Sequence, residues 1–369
     1  MREGWEYKKF ESCIVKSPKL KQVKKEAYNN GSQYPIISQE EKFISGYCDD
    51  ESMVCHIDRP IVVFGDHTRV LKYIDFDFVV GADGVKVIIP IKSIDSKFLL
   101  YFLQWYNIPN LGYSRHYKLL KDVMVPIPNC TTQQTIISEL DKLNKLIQIK
   151  KEQLKDYDAL AQSIFYEMFG DPVVNEKGWE VKKLMEVCDV RDGTHDSPKY
   201  VESSNYMLIT SKNIVNRAIS FDDVNYITEE DYNNINKRSK VDNGDILMPM
   251  IGTIGNPVIV YLDNLHKFSI KNVALIKFLH NTSILNRYLL ELMISESFRR
   301  YLLSLNKGGT QKFVALGTIR RMDIILPPLP LQQSFAQKIE QIEQQKAAIQ
   351  KTITDLETLL AARMQYWFD

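Results

Sequence analysis

The stretch QQTIISELDKLNKLIQIKKEQLKDYDALAQSIFYEMF, residues 133–169, is answered by QQSFAQKIEQIEQQKAAIQKTITDLETLLAARMQYWF, residues 332–368. In the first, Ile136, Leu140, Leu143, Ile147, Lys150, Leu154, Tyr157, Ala161, Ile164 and Met168 step by alternating fours and threes, a heptad seam broken at Lys150. The same register, 199 positions on, holds Phe335, Ile339, Ile342, Lys346, Ile349, Ile353, Leu356, Leu360, Arg363 and Trp367. Both stretches open on a Gln-Gln pair just after a Pro-rich strand end (Val125 to Pro128, Leu326 to Pro330), and both close on aromatic residues. That agreement marks an internal duplication. A single such stripe is the mark of an ordinary bundle helix on its core. Two equal helices in one register, in a chain with no third or fourth, favour each other, and each is a rod of about 55 Å at 1.5 Å per residue.

The globular segments that precede the helices also begin alike, Gly4-Trp-Glu-Tyr-Lys-Lys9 matching Gly178-Trp-Glu-Val-Lys-Lys183. The repeat unit is therefore a globular domain followed by a helix, divided as 1–128, 129–170, 171–328 and 329–369. Runs such as Pro60 to Phe64 and Val85 to Ile91 read as strands between Gly and Asp turns, and Leu99 to Tyr106 reads as a helix. In the second domain Asp245 to Met248, Ile259 to Tyr261 and Val273 to Phe278 read as strands, and Leu285 to Leu305 as one helix. Each domain is a mixed α/β unit. Thr131 with Gln134 predicts a capping box for the first long helix, and Pro330 predicts the first helical position of the second. The short junctions around Gly170 and Leu326 predict antiparallel helices, because a parallel pair would force the second domain to bridge the full rod. The domains then fall at opposite ends, about an approximate two-fold axis.

Composition narrows the function classes. A chain of 369 residues with 47 Lys and Arg against 46 Asp and Glu gives no overall basic field, so any nucleic-acid surface has to be local. Five cysteines (Cys13, Cys48, Cys55, Cys130, Cys188) form no CxxC pair and are odd in number, which argues against a disulfide framework or zinc site and for buried thiols in a reducing cytoplasm. No leader precedes the folded-looking sequence at Trp5, and no apolar run nears the roughly 20 residues of a membrane span.

The sequence carries no GxxxxGK[ST], HExxH, GxSxG or strand-linked GxGxxG, so no catalytic residue is nominated and no cofactor is expected on this chain. Arg191-Asp-Gly-Thr-His-Asp-Ser-Pro198 sets His195 between two carboxylates, yet its Asp-Gly and Ser-Pro pairs are turn formers, and a histidine there is read first as a hydrogen-bonding loop residue. Gly252-Thr253-Ile-Gly255 is a Gly-bearing turn after a strand. The polar loops say more. Arg115, His116 and Lys118 in the first domain, and Lys212, Asn213, Thr310, Gln311 and Lys312 in the second, are side chains of the kind that reach base edges and phosphates. Arg115 and His116 fall opposite Gln311 and Lys312.

Arg191-Asp-Gly-Thr-His195, Gly244-Asp-Ile-Leu247 with Gly252-Thr-Ile-Gly255, Gly308-Gly-Thr-Gln311 and Leu326-Pro-Pro-Leu-Pro-Leu-Gln-Gln333, in that order and within a tandem arrangement, resemble the specificity subunit of type I restriction-modification systems, a resemblance that covers essentially the whole chain. The first domain departs from the pattern, carrying Gly65-Asp-His-Thr-Arg69 at the Gly-Thr-Ile-Gly turn. The resemblance implies two target-recognition domains entering the major groove of double-stranded DNA and two spacer helices forming an antiparallel coiled coil. It implies a bipartite, asymmetric target, with DNA contacts from the loop residues named above, His195 and Thr253 included. It also implies two methyltransferase subunits carrying S-adenosylmethionine and a translocating restriction subunit as partners. The competing classes are an enzyme with an active site shared by the two domains, and a structural protein assembling through its coiled coil.

Overall fold

The computed structural model describes residues 2–369 except 18, 19, 32, 83, 113, 253, 264, 280, 281 and 306–312. It divides into two compact units, Met1–Glu152 with Ile349–Asp369, and Gln153–Ala348. Two 40-residue helices, the central Cys130–Phe169 and the terminal Leu329–Phe368, preserve the offset of the sequence repeat and begin three residues ahead of each Gln-Gln pair. The expected Thr131 capping box is not what starts the central helix. Asn129 caps it, its Oδ1 accepting from Thr132 N–H at 2.8 Å, while Gln134 Nε2 donates to Asp95. Pro330 takes the second helical position rather than the first, harmlessly, since first-turn N–H groups have no helical acceptor.

Every seam position is buried or half-buried in both helices. In the first unit Arg363 pairs with Glu139, Trp367 Nε1 donates to Glu139 at 2.9 Å, and Lys151 meets Glu357 at 2.8 Å. In the second, Phe335 packs on Phe165 and Phe169, and Lys346 Nζ bonds Asp158 at 2.9 Å. Partner numbers fall as residue numbers rise, so the helices run antiparallel within each unit. Lys346, a polar break in the seam, is accommodated by Asp158 and Glu343.

Within the first unit, Glu6–Lys9 pairs antiparallel with Met124–Ile127, tying the domain's beginning to the residues that lead into the central helix. An antiparallel sheet runs in the order Ile14–Val15, Val85–Pro90, Ile61–Gly65, Leu71–Ile74, and a second sheet sets Tyr34–Ile37 parallel to Phe78–Val80 and antiparallel to Gly46–Cys48. Helix Ser96–Tyr106, capped by the Asp95 side chain, packs Phe98, Phe102 and Trp105 around Phe368.

The second unit repeats the plan. Glu180–Lys183 pairs with Asp323–Leu326, the antiparallel sheet runs Cys188–Asp192, Val273–Phe278, Ile246–Pro249, Val258–Ile259, and Tyr206–Ile209 lies parallel to Lys267–Ile270 and antiparallel to Asn225–Ile227. Phe165, Phe169, Tyr288 and Phe335 form the aromatic centre of its core. The single helix expected from Leu285 to Leu305 is two, Asn286–Ile294 and Glu296–Ser304. Buried Ser295 separates them with extended backbone, its hydroxyl turned back onto the Leu292 carbonyl. Four cysteines are buried as expected, but Cys130, at the exposed start of the central helix, is not. Among the described residues no helix is long and apolar enough to cross a membrane, and no group of His, Cys, Asp or Glu is placed to hold a metal ion.

Candidate nucleic-acid interface

The first unit's polar loops meet at the hairpin turn after Ile61–Gly65. Arg69 adopts a left-handed φ of 64°, closing the turn through its N–H to the Gly65 carbonyl at 2.7 Å. The 114–118 segment folds onto this turn: His116 N–H donates to the Asp66 carbonyl at 2.8 Å, and Tyr117 N–H to Asp66 Oδ1 at 2.8 Å. His116 is fully buried. Its Nε2 accepts from Leu111 N–H at 3.1 Å, which leaves Nδ1 as the donor to the Asp66 carbonyl at 2.9 Å. His116 is therefore the pin between loop and turn rather than a residue facing a duplex, correcting its place among the contact candidates. Arg115 and Lys118, on either side, are exposed.

In the second unit the same joint is made by Val314, whose N–H donates to the Met250 carbonyl at 3.0 Å, with Ile251 and Phe313 bridged beside it. Arg115 and His116 thus stand opposite Phe313 and Val314, not Gln311 and Lys312, because the loops have different lengths and a comparison by composition slips between them. Thr253, Thr310, Gln311 and Lys312 lie outside the described residues.

The Arg191 to Pro198 segment builds a polar cluster. Gly193 runs so close to the neighbouring strand that a Cβ would sit 2.1 Å from the Ile270 carbonyl oxygen, which excludes any side chain there. Beyond it, His195 Nε2 lies 2.6 Å from Asp192 Oδ2 and Nδ1 lies 2.9 Å from Asn272 Oδ1. Asp192 is buried and also binds Arg238. The hydrogen bonds to Asn272 and Asp192 raise the His195 pKa above its ordinary value, against a smaller lowering by its modest burial. Both imidazole nitrogens are engaged, so neither is left to move a proton for a substrate. The cluster presents instead an exposed imidazole, His195, and the exposed Arg238 guanidinium over a buried carboxylate.

Lys212 is exposed at the turn after Tyr206–Ile209. Its neighbour Asn213 is buried, accepting from Thr210 N–H and hydroxyl at 3.0 Å each and donating to the Asp223 carbonyl at 2.9 Å. Asn213 shapes the turn and is likewise corrected from contact residue to scaffold. Arg115, Lys118, Lys212 and His195 are the described candidates that present exposed side chains.

The Gln-Gln pairs conceal a positioning device that spacing alone did not reveal. Gln133 Oε1 accepts from Asp95 N–H at 2.8 Å while its Nε2 donates to the Ser93 and Pro128 carbonyls. Gln332 does the same with Leu285 N–H, at 2.9 Å, and the Ser283 and Pro327 carbonyls. Each buried glutamine bolts the start of a long helix to the start of its domain's own helix. The signal in the sequence was a polar residue recurring at the same helical position next to a Pro-rich turn.

Two α/β modules of one plan, each with exposed basic loops and each bolted to a long helix, describe a tandem recognition protein. The family model of the type I restriction modification DNA specificity domain matches residues 2–156 and again 176–358. The chain belongs to that family. It is 24% identical over 306 residues to the Type I restriction enzyme MjaIX specificity subunit of Methanocaldococcus jannaschii, covering 75% of this chain and 69% of that one. It is 23% identical over 243 residues to the MjaVIII specificity subunit of the same organism, covering 61% and 56%. Among solved structures, the S subunit of a type I restriction-modification system from M. genitalium superposes with TM-score 0.55 at 12% identity, covering 99% of this chain and 96% of that one. A chain from a study of complex assembly and conformational transition of the type I R-M system gives 0.57 at 16%, covering 100% and 98%. At these identities the two structures speak for the fold alone.

Proposed function

We propose that the chain is the sequence-reading subunit of a type I restriction-modification complex, each module reading one half of an asymmetric, bipartite DNA target. The duplication carries this reading: the same antiparallel-sheet order, the same glutamine bolt and a 40-residue helix occur twice, while the loops on them differ. Separate modules suit separate half-sites, with the unspecified base pairs between them set by geometry. Arg115, Lys118 and Lys212 are assigned to phosphate or base-edge contact, His195 to the same surface through its exposed ring rather than its bonded nitrogens, and Thr253, Thr310, Gln311 and Lys312 remain candidates on the ground of residue type. The subunit is non-catalytic and works in the cytoplasm without a cofactor of its own. Two methyltransferase subunits bring S-adenosylmethionine, and a translocating restriction subunit joins for cleavage.

Replacing residues 173–325 with the matching segment of a relative is expected to change one half-site in the methylome of cells carrying the partner methyltransferase. A change in both at once overturns independent readout. On the purified chain, Lys212→Ala is expected to lower the slope of log affinity against log salt by about one unit if the lysine sits on phosphate. An unchanged slope and unchanged site preference make Lys212 an ordinary surface residue.

A further inference from the structure

The second unit holds a cavity of about 290 Å³ between the start of helix Asn286–Ile294, the Val258–Ile259 strand and the terminal helix. Glu291 lines it, 1% exposed, and among the described residues its Oε2 has no hydrogen-bond partner. Burial holds the carboxyl above the usual carboxylate range. An unsatisfied acid in a core is unfavourable, and the fold does not require one. The first unit shows this directly. Tyr101 stands to Asp95 as Glu291 stands to Leu285, and its hydroxyl is satisfied by Asp141 at 2.5 Å and Asn144 at 3.2 Å. The residue corresponding to Asn144 is Glu343, which offers Glu291 no donor and is itself held by Lys346.

The rest of the lining says what a ligand has to bring. Ile219, Val258, Ile259 and Leu290 form apolar walls. Arg217 and Arg287 stand at the cavity, the latter donating to the Tyr261 hydroxyl at 3.0 Å. A metal ion or an ammonium group would meet three positive charges that act on Glu291, Arg217, Arg287 and Lys346, against the single further carboxylate of Glu343, which Lys346 already holds. The occupant that fits is neutral where it meets Glu291, flat and apolar-faced in the middle, and anionic at the arginines. A carboxylate accepts two parallel N–H donors, and among nucleobases guanine offers that pair on its Watson–Crick edge, N1–H beside N2–H.

We propose that this cavity binds a guanine nucleotide, with Glu291 accepting from the base edge and Arg217 and Arg287 taking the phosphate. The site shares no lining residue with those assigned to DNA, although its Arg217 to Phe221 wall continues from the Lys212 turn, and it does not depend on that reading. The volume stands near the lower end of small-ligand pockets, consistent with a mononucleotide.

The test is calorimetric titration of the full chain with GMP, AMP, guanosine and inorganic phosphate. GMP is expected to bind, guanosine more weakly, and AMP and phosphate alone at least about tenfold more weakly than GMP, the discrimination expected of a bidentate base contact. Glu291→Gln, which keeps volume but presents an N–H to the base, is expected to lose about tenfold or more in GMP affinity with an unchanged melting temperature. If that variant fails to fold, Arg287→Gln is the second probe and is expected to weaken GMP toward guanosine. A DNA hairpin with one bulged dG that displaces GMP would assign the site to guanine carried by DNA, and failure to displace it assigns the site to the free nucleotide. A flat GMP titration, equal binding of AMP, or a folded Glu291→Gln chain that binds as tightly as the parent overturns the proposal.

Discussion

Where the two units need to hold a helix in place they use the same atoms, and where they face outward or enclose space they do not. Gln133 and Gln332 make the same three hydrogen bonds, and the helices they anchor, Ser96–Tyr106 and Asn286–Ile294, share a basic, aromatic, Leu-Leu first turn (Lys97 to Leu100, Arg287 to Leu290) before they part at Tyr101 and Glu291. Two steps away the units diverge: a neutral tyrosine bonded on both sides in one, an unpartnered glutamate in the other. The loop joint diverges as well, with buried His116 in one and buried Val314 in the other supporting the same main-chain bond. Main-chain geometry is what the duplication has kept, and side chains that only fill or decorate it have been free to change.

The largest test of that equivalence is in the cores. The last aromatic of the central helix, Phe169, packs in the second unit, and its counterpart at the end of the terminal helix, Phe368, packs in the first. Phe169→Ala and Phe368→Ala are each expected to cost about 3–5 kcal/mol, with Phe169, fully buried, toward the upper end. Chemical denaturation followed with a tryptophan in each unit would assign the loss. If both variants lower the same transition, the units are not separate in stability.

Next in size are the bolts. Gln133→Ala and Gln332→Ala each strand one N–H and leave two carbonyls short of a donor, and a loss of about 1–3 kcal/mol is expected from each. Because the bonding is the same, the two losses should agree to within about half a kcal/mol. A wide gap between them would break the equivalence at its strongest point.

The smallest effect sharpens a feature described only in the second unit. The His195 pKa is raised in the folded state, first by the bond to Asn272 and then by the one to Asp192. Its contribution is fully present below the unfolded value, near 6.5, and is lost as pH rises through the folded value. More than half of the imidazole is exposed, so solvent screening keeps the contribution small. The difference in melting temperature between parent and His195→Ala is expected to shrink from pH 5.5 to pH 8.5. A difference that grows with pH means that the imidazole is held neutral.

How much of this was legible in advance follows from which interactions have a period. The seam could be read residue by residue because burial in an antiparallel helix pair repeats every seven positions, and the break read at Lys150 is half-buried in register, as is Lys346 in the second helix. The domain limits could be read because the Gly-Trp start and the Pro-rich strand each occur twice, but that the two pair with each other in both domains could not, since a strand's partner far along the chain leaves no local pattern. Capping could not, since Asn129 and Thr131 are both good caps and two residues of helical backbone decide between them. The helix break at Ser295 was hidden because serine is tolerated within helices and no Gly or Pro marks the extended backbone there. In the loops, residue type gave the right region and the wrong individuals. Histidine and asparagine serve buried main chain as readily as they serve a ligand, and only their burial distinguishes the cases.

The first unit is made of residues up to Glu152 and of Ile349 onward, whereas the second is one uninterrupted stretch, Gln153–Ala348. On the ribosome, chain order and completion order are therefore reversed. The segment translated first waits, with Phe98, Phe102 and Trp105 lacking the Phe368 ring that fills their cluster, until everything after it has been made. The module that starts later can close first, so that premature termination after Ala348 would spare the second module's core and leave the first with an open aromatic face.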